Sequence, residues 1–346
     1  MQYEVTIGIP VYNSEKYLKE TLESALSQTF PSIEYLIMDD CSTDTSMAIV
    51  QEYQQTHPRG EHIRIIHQPR NMGIGIARNR IIDEAQGQYL YFLDADDIIT
   101  PDAISLLHEN AIQNDAEMVY ASHERIEEFD GNHNSTVFQH AKRNFTQENE
   151  FANYAYEEYG RLPAPVWNIL FRMEVFRKNQ LRFADTNFWE DFTFHMDLPS
   201  YVTRVSMLPD ITYKYICRSG SLSNFQKRTH IDKQEIEKTI AAVEHVKANS
   251  YRIADKPYFP QRMCKVMLTC FFMVCYIIQK QEYIEPKFTN SELHSLLKSP
   301  VPLSKTLSFR KCWSKNLLLC LLGILPSSVS LLLVKLIGGM KGLLSA

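Results

Sequence analysis

No CxxC pair occurs among the seven cysteines, an odd number, and no His/Cys spacing suits zinc. A fully paired disulfide framework and a structural zinc site are therefore both set aside. No GxGxxG follows the first apolar run and no GxxxxGK[ST] occurs, so neither a dinucleotide oxidoreductase nor a P-loop enzyme is supported. There is no internal repeat. No charged segment followed by a short apolar one opens the chain, and the expected compartment is the reducing cytosol, with Cys264, Cys270 and Cys275 as reduced core residues. The sequons at Asn134 and Asn144 then carry little weight. A formal net charge of −5 offers no basic surplus for general nucleic-acid binding. Acid is absent from one region altogether: after Glu292 there is none, while Lys298, Lys305, Arg310, Lys311, Lys315, Lys335 and Lys341 are all basic.

What is present describes a globular protein. The 346 residues are 45% apolar and 22% charged, enough for one large domain or two ordinary ones. The first 120 residues alternate strand and helix patterns as in an open, largely parallel sheet. Strands are expected at Val5 to Ile9, Ile33 to Met38, Ile63 to Ile66, Tyr89 to Leu93 and Met118 to Ala121. Helices follow Ser14 and Asp44 as caps, and a third runs from Ile74 to Ala85 with Gly87 closing it in a left-handed conformation. Asp130 to Glu150 is polar and unpatterned and reads as a loop. Helical patterns cover Met173 to Asn179 and His230 to Lys280.

The chemistry concentrates in Tyr91-Phe-Leu-Asp-Ala-Asp-Asp97, three carboxylates at the mouth of an apolar strand. Hard oxygen ligands in this number suit Mg2+ or Mn2+, which in turn would hold a phosphate-bearing substrate. The plain alternative is an Asp-rich turn in which Asp97 or Thr100 caps the next helix. A second pair, Asp39-Asp40, ends another strand upstream, and ligands in such sheets bind at the carboxyl ends of strands.

Five segments in order carry a resemblance: Ile9-Pro-Val-Tyr-Asn13, Met38-Asp-Asp-Cys-Ser-Thr-Asp44, Asn71-Met-Gly-Ile-Gly-Ile-Ala-Arg-Asn79, Leu93-Asp-Ala-Asp-Asp97 and Trp189-Glu-Asp191. Together they resemble the signature of family 2 glycosyltransferases, inverting enzymes of the GT-A fold that use nucleotide-diphosphate sugars. The resemblance is strong over about the first 100 residues and extends less firmly to about residue 225. Cys41 departs from it, because the family commonly has Gly after the paired aspartates.

The resemblance implies an α/β GT-A domain over residues 1–225, with an open, mixed and mostly parallel sheet, and a helical region over 226–346. It implies that Pro10, Tyr12 and Asn13 form a nucleotide loop with Tyr12 stacking on the base. Asp40 would accept the ring N–H of a uracil-like base, as an acceptor-only carboxylate can. Asn71 and Arg78 would approach the nucleotide, Asp94 and Ala95 would line the nucleotide-sugar site, and Asp94 with Asp96 would hold Mn2+ or Mg2+. Asp191 is then the base that deprotonates the acceptor hydroxyl, within aromatic neighbours that include Phe188. Trp167, Asn168 and Glu190 would meet the acceptor, and Arg218, Ser219 and Ser221 would close over the diphosphate. The plain alternatives are a surface charge for Arg78, a core ring for Trp167 and a helix-dipole acid for Asp191.

Asn316 to Val334 is uncharged, nearly the roughly 20 residues a membrane span needs, but Pro326-Ser-Ser-Val-Ser330 interrupts it. With the acid-free tail of about 312–346 around it, it reads as a helix–break–helix lying on a membrane, with a buried pair or a true span as alternatives. The reading is a transferase at the inner face of the cell membrane, acting on a growing or lipid-linked glycan in surface-polysaccharide synthesis. Its competitors are an inactive glycan- or nucleotide-binding subunit and a nucleotide-sugar pyrophosphorylase. The last calls for a Gly-rich basic loop after the first strand, and Ile9-Pro-Val-Tyr-Asn13 is neither.

Overall fold

Short apolar runs alternating with amphipathic ones give a Rossmann-like start. A computed structural model describes residues 3–129, 132–158, 165–186, 189–218 and 230–343. β1 (Tyr3–Val11), β2 (Ile33–Asp39), β3 (Ile63–His67) and β4 (Gly87–Phe92) are parallel in the order β3-β2-β1-β4. They are joined by α1 (Leu18–Leu26), α2 (Ser46–Thr56) and α3 (Ile74–Glu84). The alternate residues Val5, Ile7, Ile9 and Val11 meet Leu18, Leu22, Ala25 and Leu26 in one buried cluster.

Three expected helix ends differ. Asp44 does receive the Ser46 N–H at 2.9 Å, although Thr45 occupies the cap position. Ser14 does not cap α1: Tyr17 occupies the cap position, and Ser14 contributes only its carbonyl, which accepts from the Tyr17 and Leu18 N–H groups at 3.0 Å each. Gly87 is not a left-handed helix terminator. It is the first residue of β4, and a Cβ there would lie 2.5 Å from the Thr6 backbone nitrogen, so the close approach of β1 requires glycine.

Beyond β4 the sheet becomes mixed. β5 (Ile98–Ile99), α4 (Ala103–Gln113), β6 (Met118–Phe129), β7 (Asn132–Phe138), β8 (Arg143–Phe145) and α5 (Glu150–Asn153) are followed by β9 (Ile169–Arg172), α6 (Met173–Asn179), α7 (Glu190–Asp197) and β10 (Val205–Arg218). β9 runs antiparallel between β4 and β6, and β10 lies parallel to β6 and antiparallel to β5. Asp130 to Glu150, expected as a loop, instead supplies β7 on β6, β8 on β10 and the start of α5. β7 escapes a periodicity search because its described side chains are exposed on both faces, so no apolar alternation marks it.

The chain divides into two compact units. The first comprises Met1–Phe151, Pro163–Asp185 and Tyr201–Phe225; the second comprises Ala152–Leu162, Thr186–Ser200 and Gln226–Ala346. The second therefore takes in α7 as well as the C-terminal helices: α8 (Lys233–Asn249), α9 (Phe259–Lys280), α10 (Asn290–Leu296), α11 (Leu303–Leu307), α12 (Trp313–Ile324) and α13 (Ser327–Met340). Its hub is Arg262 on α9, fully buried, which donates to Tyr156 Oη at 2.9 Å, Ser250 Oγ at 3.0 Å, the Val246 carbonyl at 3.2 Å, the Met196 carbonyl and Asp197. One guanidinium thus holds the end of α7 against α8 and α9.

Among the described residues α9 is the one helix long and apolar enough to cross a membrane, and most of it is buried inside the protein. The uncharged tail segment falls into α12 and α13, of 12 and 14 residues. Each is short of the roughly 20 residues of a span.

Candidate active site

The carboxyl ends of β1, β2 and β4 carry the first unit's polar residues, each brought there by strand register. Val11 pairs with Asp39 across β1 and β2, so the Tyr12-Asn13 turn and the Asp40-Cys41 turn leave the sheet side by side. Asn13 Oδ1 accepts from the Thr43 N–H at 2.8 Å, and the Asn13 N–H reaches Ser42 Oγ at 3.2 Å, stitching the turns together. Tyr12 remains 48% exposed at the rim, while Pro10 is buried within β1. Asn13 and Cys41 have φ of 48° and 65°. Asn tolerates the left-handed region; Cys41 adopts it where glycine would do so without strain.

Asp40 is buried and takes three N–H donors: Gln68 Nε2 at 2.7 Å, Met72 N at 2.7 Å and Gly73 N at 2.8 Å. This explains the glycine of the Asn71-Met-Gly segment, since Gly73 has φ 88°. The carboxylate holds the loop that starts α3, leaving exposed Asn71 on the surface. Of about four lone-pair sites on a carboxylate, one remains. Asp39 is also spent inside the fold, on the Ser42 N–H at 2.8 Å and on His67 Nδ1 at 2.7 Å.

After β4 the picture reverses. Asp94 keeps a quarter of its side chain exposed and meets Arg78 Nη2 at 3.1 Å. Arg78, far from being a surface charge, is buried on α3, with its guanidinium 5.6 Å from the Phe183 ring. Burial, with the Asp94 charge adding to it, pushes the Asp96 carboxyl up to about 6 against the opposing pull of Arg218. Buried Ala95 separates the two. Arg218, at the end of β10, lies 4.0 Å over the Tyr17 ring and donates to the Asp96 carbonyl at 2.7 Å. Asp97 caps no helix: it turns inward, accepting Tyr213 Oη–H at 2.7 Å and the Ile216 N–H at 2.8 Å, and burial followed by the Asp96 and Asp94 charges raises its pKa well above the usual range.

Two neighbouring carboxyls, one of them raised by burial and by the charge of the other, fit a divalent cation. Among the described residues no group of three or more His, Cys, Asp or Glu could cage one. An ion on Asp94 and Asp96 would complete its shell with diphosphate oxygens and water, the usual arrangement for Mg2+.

Two residues expected at the acceptor lie inside the first unit. Trp167 is 7% exposed and stacks on Tyr213 and Tyr215 at 4.4 and 5.2 Å between centroids, so its ring belongs to the core. Asn168 is buried with its amide fully used: Oδ1 accepts from Thr212 and Tyr91, and Nδ2 donates to the Ala121 and Ser122 carbonyls. No donor or acceptor is left for a sugar.

In the second unit, Glu190 and Asp191 form the first turn of α7. Glu190 is buried, and Asp191 Oδ1 accepts the Phe192 N–H at 2.7 Å. Trp189, just before them, has φ 61°, and its carbonyl accepts from Thr193 N at 2.9 Å. Such strain in an aromatic residue costs on the order of 1–3 kcal/mol. Phe188, Ser219 and Ser221 lie outside the described residues. Gln68, Tyr17 and Tyr213 support the site without any local signal in the sequence, because each acts on a residue distant in the chain.

The family model described as glycosyl transferase family 2 matches residues 6–179, half of the chain. Glycosyltransferase GlyG of Streptococcus pneumoniae is 28% identical over 229 residues, covering 63% of this chain and 72% of that protein. The uncharacterized glycosyltransferase EpsJ of Bacillus subtilis is 31% identical over 229 residues, covering 66% of this chain and 65% of that one. The crystal structure of S. aureus TarS 1–349 with UDP-GlcNAc superposes with a TM-score of 0.57 at 17% identity, over 92% of this chain and 90% of that one. At that identity the likeness is one of fold, the GT-A arrangement.

Proposed function

The chain belongs to glycosyl transferase family 2, and on that premise we propose that it moves a sugar, with inversion, from a nucleoside-diphosphate donor to a glycan hydroxyl. The donor is a UDP-sugar, in line with the UDP-GlcNAc bound by the S. aureus relative of the same fold. The acceptor is a growing or lipid-linked glycan of a cell-surface polysaccharide, met at the inner face of the membrane. One observation carries this reading: Tyr12, Asp40, Arg78, Asp94 and Asp96 gather around the ends of neighbouring strands, where the Asp96 carboxyl is pushed up to about 6 by burial and by the Asp94 charge.

Tyr12 stacks on the base and the last lone pair of Asp40 accepts its ring N–H. Asp94 and Asp96 would hold Mn2+ or Mg2+, which when bound would offset the charge developing on the departing diphosphate. Arg78 and Arg218 add fixed positive charge beside those carboxylates. Asp191 takes the proton from the attacking hydroxyl, and Glu190 beside it orients the acceptor.

A panel of nucleotide sugars assayed for Mn2+-dependent turnover tests the proposal. UDP-sugar hydrolysis that stops with chelator is the expected result. No turnover of any nucleotide sugar by folded protein overturns it in favour of an inactive binding subunit.

A further inference from the structure

The tail helices leave an apolar surface that the chemistry above does not use. α12 buries Asn316, Leu319, Cys320 and Leu322, and α13 buries Ser330, Leu331, Val334 and Gly338. Both helices pack on α9, and α13 also on α10. Two polar groups of the apolar run are turned inward and bonded: Asn316 Nδ2 donates to the Pro260 carbonyl at 2.9 Å, and Ser330 Oγ to the Leu322 carbonyl at 2.6 Å across the break. The hairpin is therefore a built part of its unit.

Its other face is apolar as well. Leu318, Leu321 and Ile324 on α12, and Val329, Leu332, Leu336 and Met340 on α13, are all exposed, between 38% and 88%. The α13 residues recur at intervals of three and four, forming one stripe along the helix. A helix that closed a core would bury one face and present polar residues on the other. This hairpin does the first and not the second.

Charge decides what covers the stripe. Arg310, Lys315, Lys335 and Lys341 are exposed around it, and no acid follows Glu292, while Lys311 pairs with Glu157. A second copy of the chain, meeting this patch two-fold, would bring like charges together. An anionic lipid surface would not. We propose that the outward faces of α12 and α13 dock flat on a bilayer bearing anionic headgroups, with the leucines in the headgroup–acyl boundary and the lysines and arginine on phosphates. The inference deepens the reading above, on which it rests only for its purpose, to hold the enzyme near a lipid-linked acceptor.

The test uses the full chain and vesicles of phosphatidylcholine, alone or mixed with phosphatidylglycerol, with no nucleotide present. Sedimentation with the mixed vesicles and not with the neutral ones is expected. High salt should weaken it only in part, since apolar insertion is not screened. The double variant Leu321→Glu/Leu332→Glu changes exposed positions alone. It should bind about 10-fold more weakly or worse, with its melting temperature and nucleotide-sugar turnover unchanged.

Equal vesicle binding by variant and parent overturns the proposal, as does indifference to anionic lipid. A concentration-dependent dimer lost in the variant assigns the face to a second copy. Pelleting that resists alkaline carbonate overturns the flat geometry in favour of insertion across the bilayer. Vesicle binding by a protein with no turnover leaves the surface standing and removes the enzymatic reading instead.

Discussion

The aspartates that end β2 and those that follow β4 sit on the same edge of one sheet and are treated in opposite ways. At β2 the protein satisfies the charge itself: Asp39 and Asp40 together receive the Ser42, Met72 and Gly73 amides, Gln68 and His67. After β4 it does the same for Asp97 and pairs Asp94 with Arg78, but gives the Asp96 carboxyl less. Asp96 is half-buried beside Asp94 with Arg218 and its own backbone N–H as offsets, and its carboxyl rises to about 6. A carboxylate given three N–H donors shapes a loop and keeps a single lone pair to offer; an under-satisfied one can take a cation. Identical residue types thus hold a loop at one strand end and, on the reading proposed above, a cation at the next.

The sharpest way to break that contrast is Asp96→Ala. It should lower kcat/KM by about 1,000-fold or more and abolish divalent-dependent nucleotide binding, measured by turnover and by titration calorimetry with Mn2+. Full activity in chelator would remove the metal from the argument. Asp191→Asn extends the comparison to the second unit. It keeps size but cannot accept a proton, so turnover should fall about 100-fold with donor affinity intact. Normal turnover on the true acceptor would move the base to Glu190.

Two changes that remove only charge sharpen the contrast further. In metal-free protein the raised Asp96 pKa means that the folded state binds more protons than the unfolded one between about pH 4 and pH 6. Stability is therefore lost as pH rises through that window, by on the order of 2 kcal/mol. Asp96→Asn should remove this loss and Mn2+ should oppose it, read as the difference between urea melts of parent and variant at each pH. Parallel melts from pH 4 to 7 would refute it. Asp40→Asn should do the opposite. It turns an amide toward N–H donors and should cost about 1–2 kcal/mol at neutral pH, with a raised donor KM.

The smallest effect is expected at Cys41, whose φ of 65° suits glycine. Cys41→Gly should stabilise by about 0.5–1 kcal/mol, strain relief outweighing the entropy glycine adds to the unfolded chain. A lower melting temperature would show that the Cys41 side chain contributes more than its backbone costs.

Much of this architecture was legible in the chain alone. Apolar runs of strand length located β1 to β4, and the motif acids that follow them had to lie at carboxyl ends. The proline and serines of the tail divided it into two helices, as Pro326 capping α13 shows. Those are local properties, set by side-chain period and by backbone groups within a turn or two.

Which acids would be spent and which left open was decided elsewhere. Asp97 looks like Asp94 and Asp96 until Ile216, 119 residues later, brings an N–H to it. Trp167 and Asn168 looked like acceptor contacts until β10 supplied Tyr213, Tyr215 and Thr212. β7 left no period to find, and the Arg262 hub joins residues from Tyr156 to Ser250 that share no motif. A chain can specify what a residue offers, a lone pair, a ring or a charge. Whether that offer is met inside the protein depends on which distant strand or helix comes within about 3 Å, and only the folded arrangement settles that.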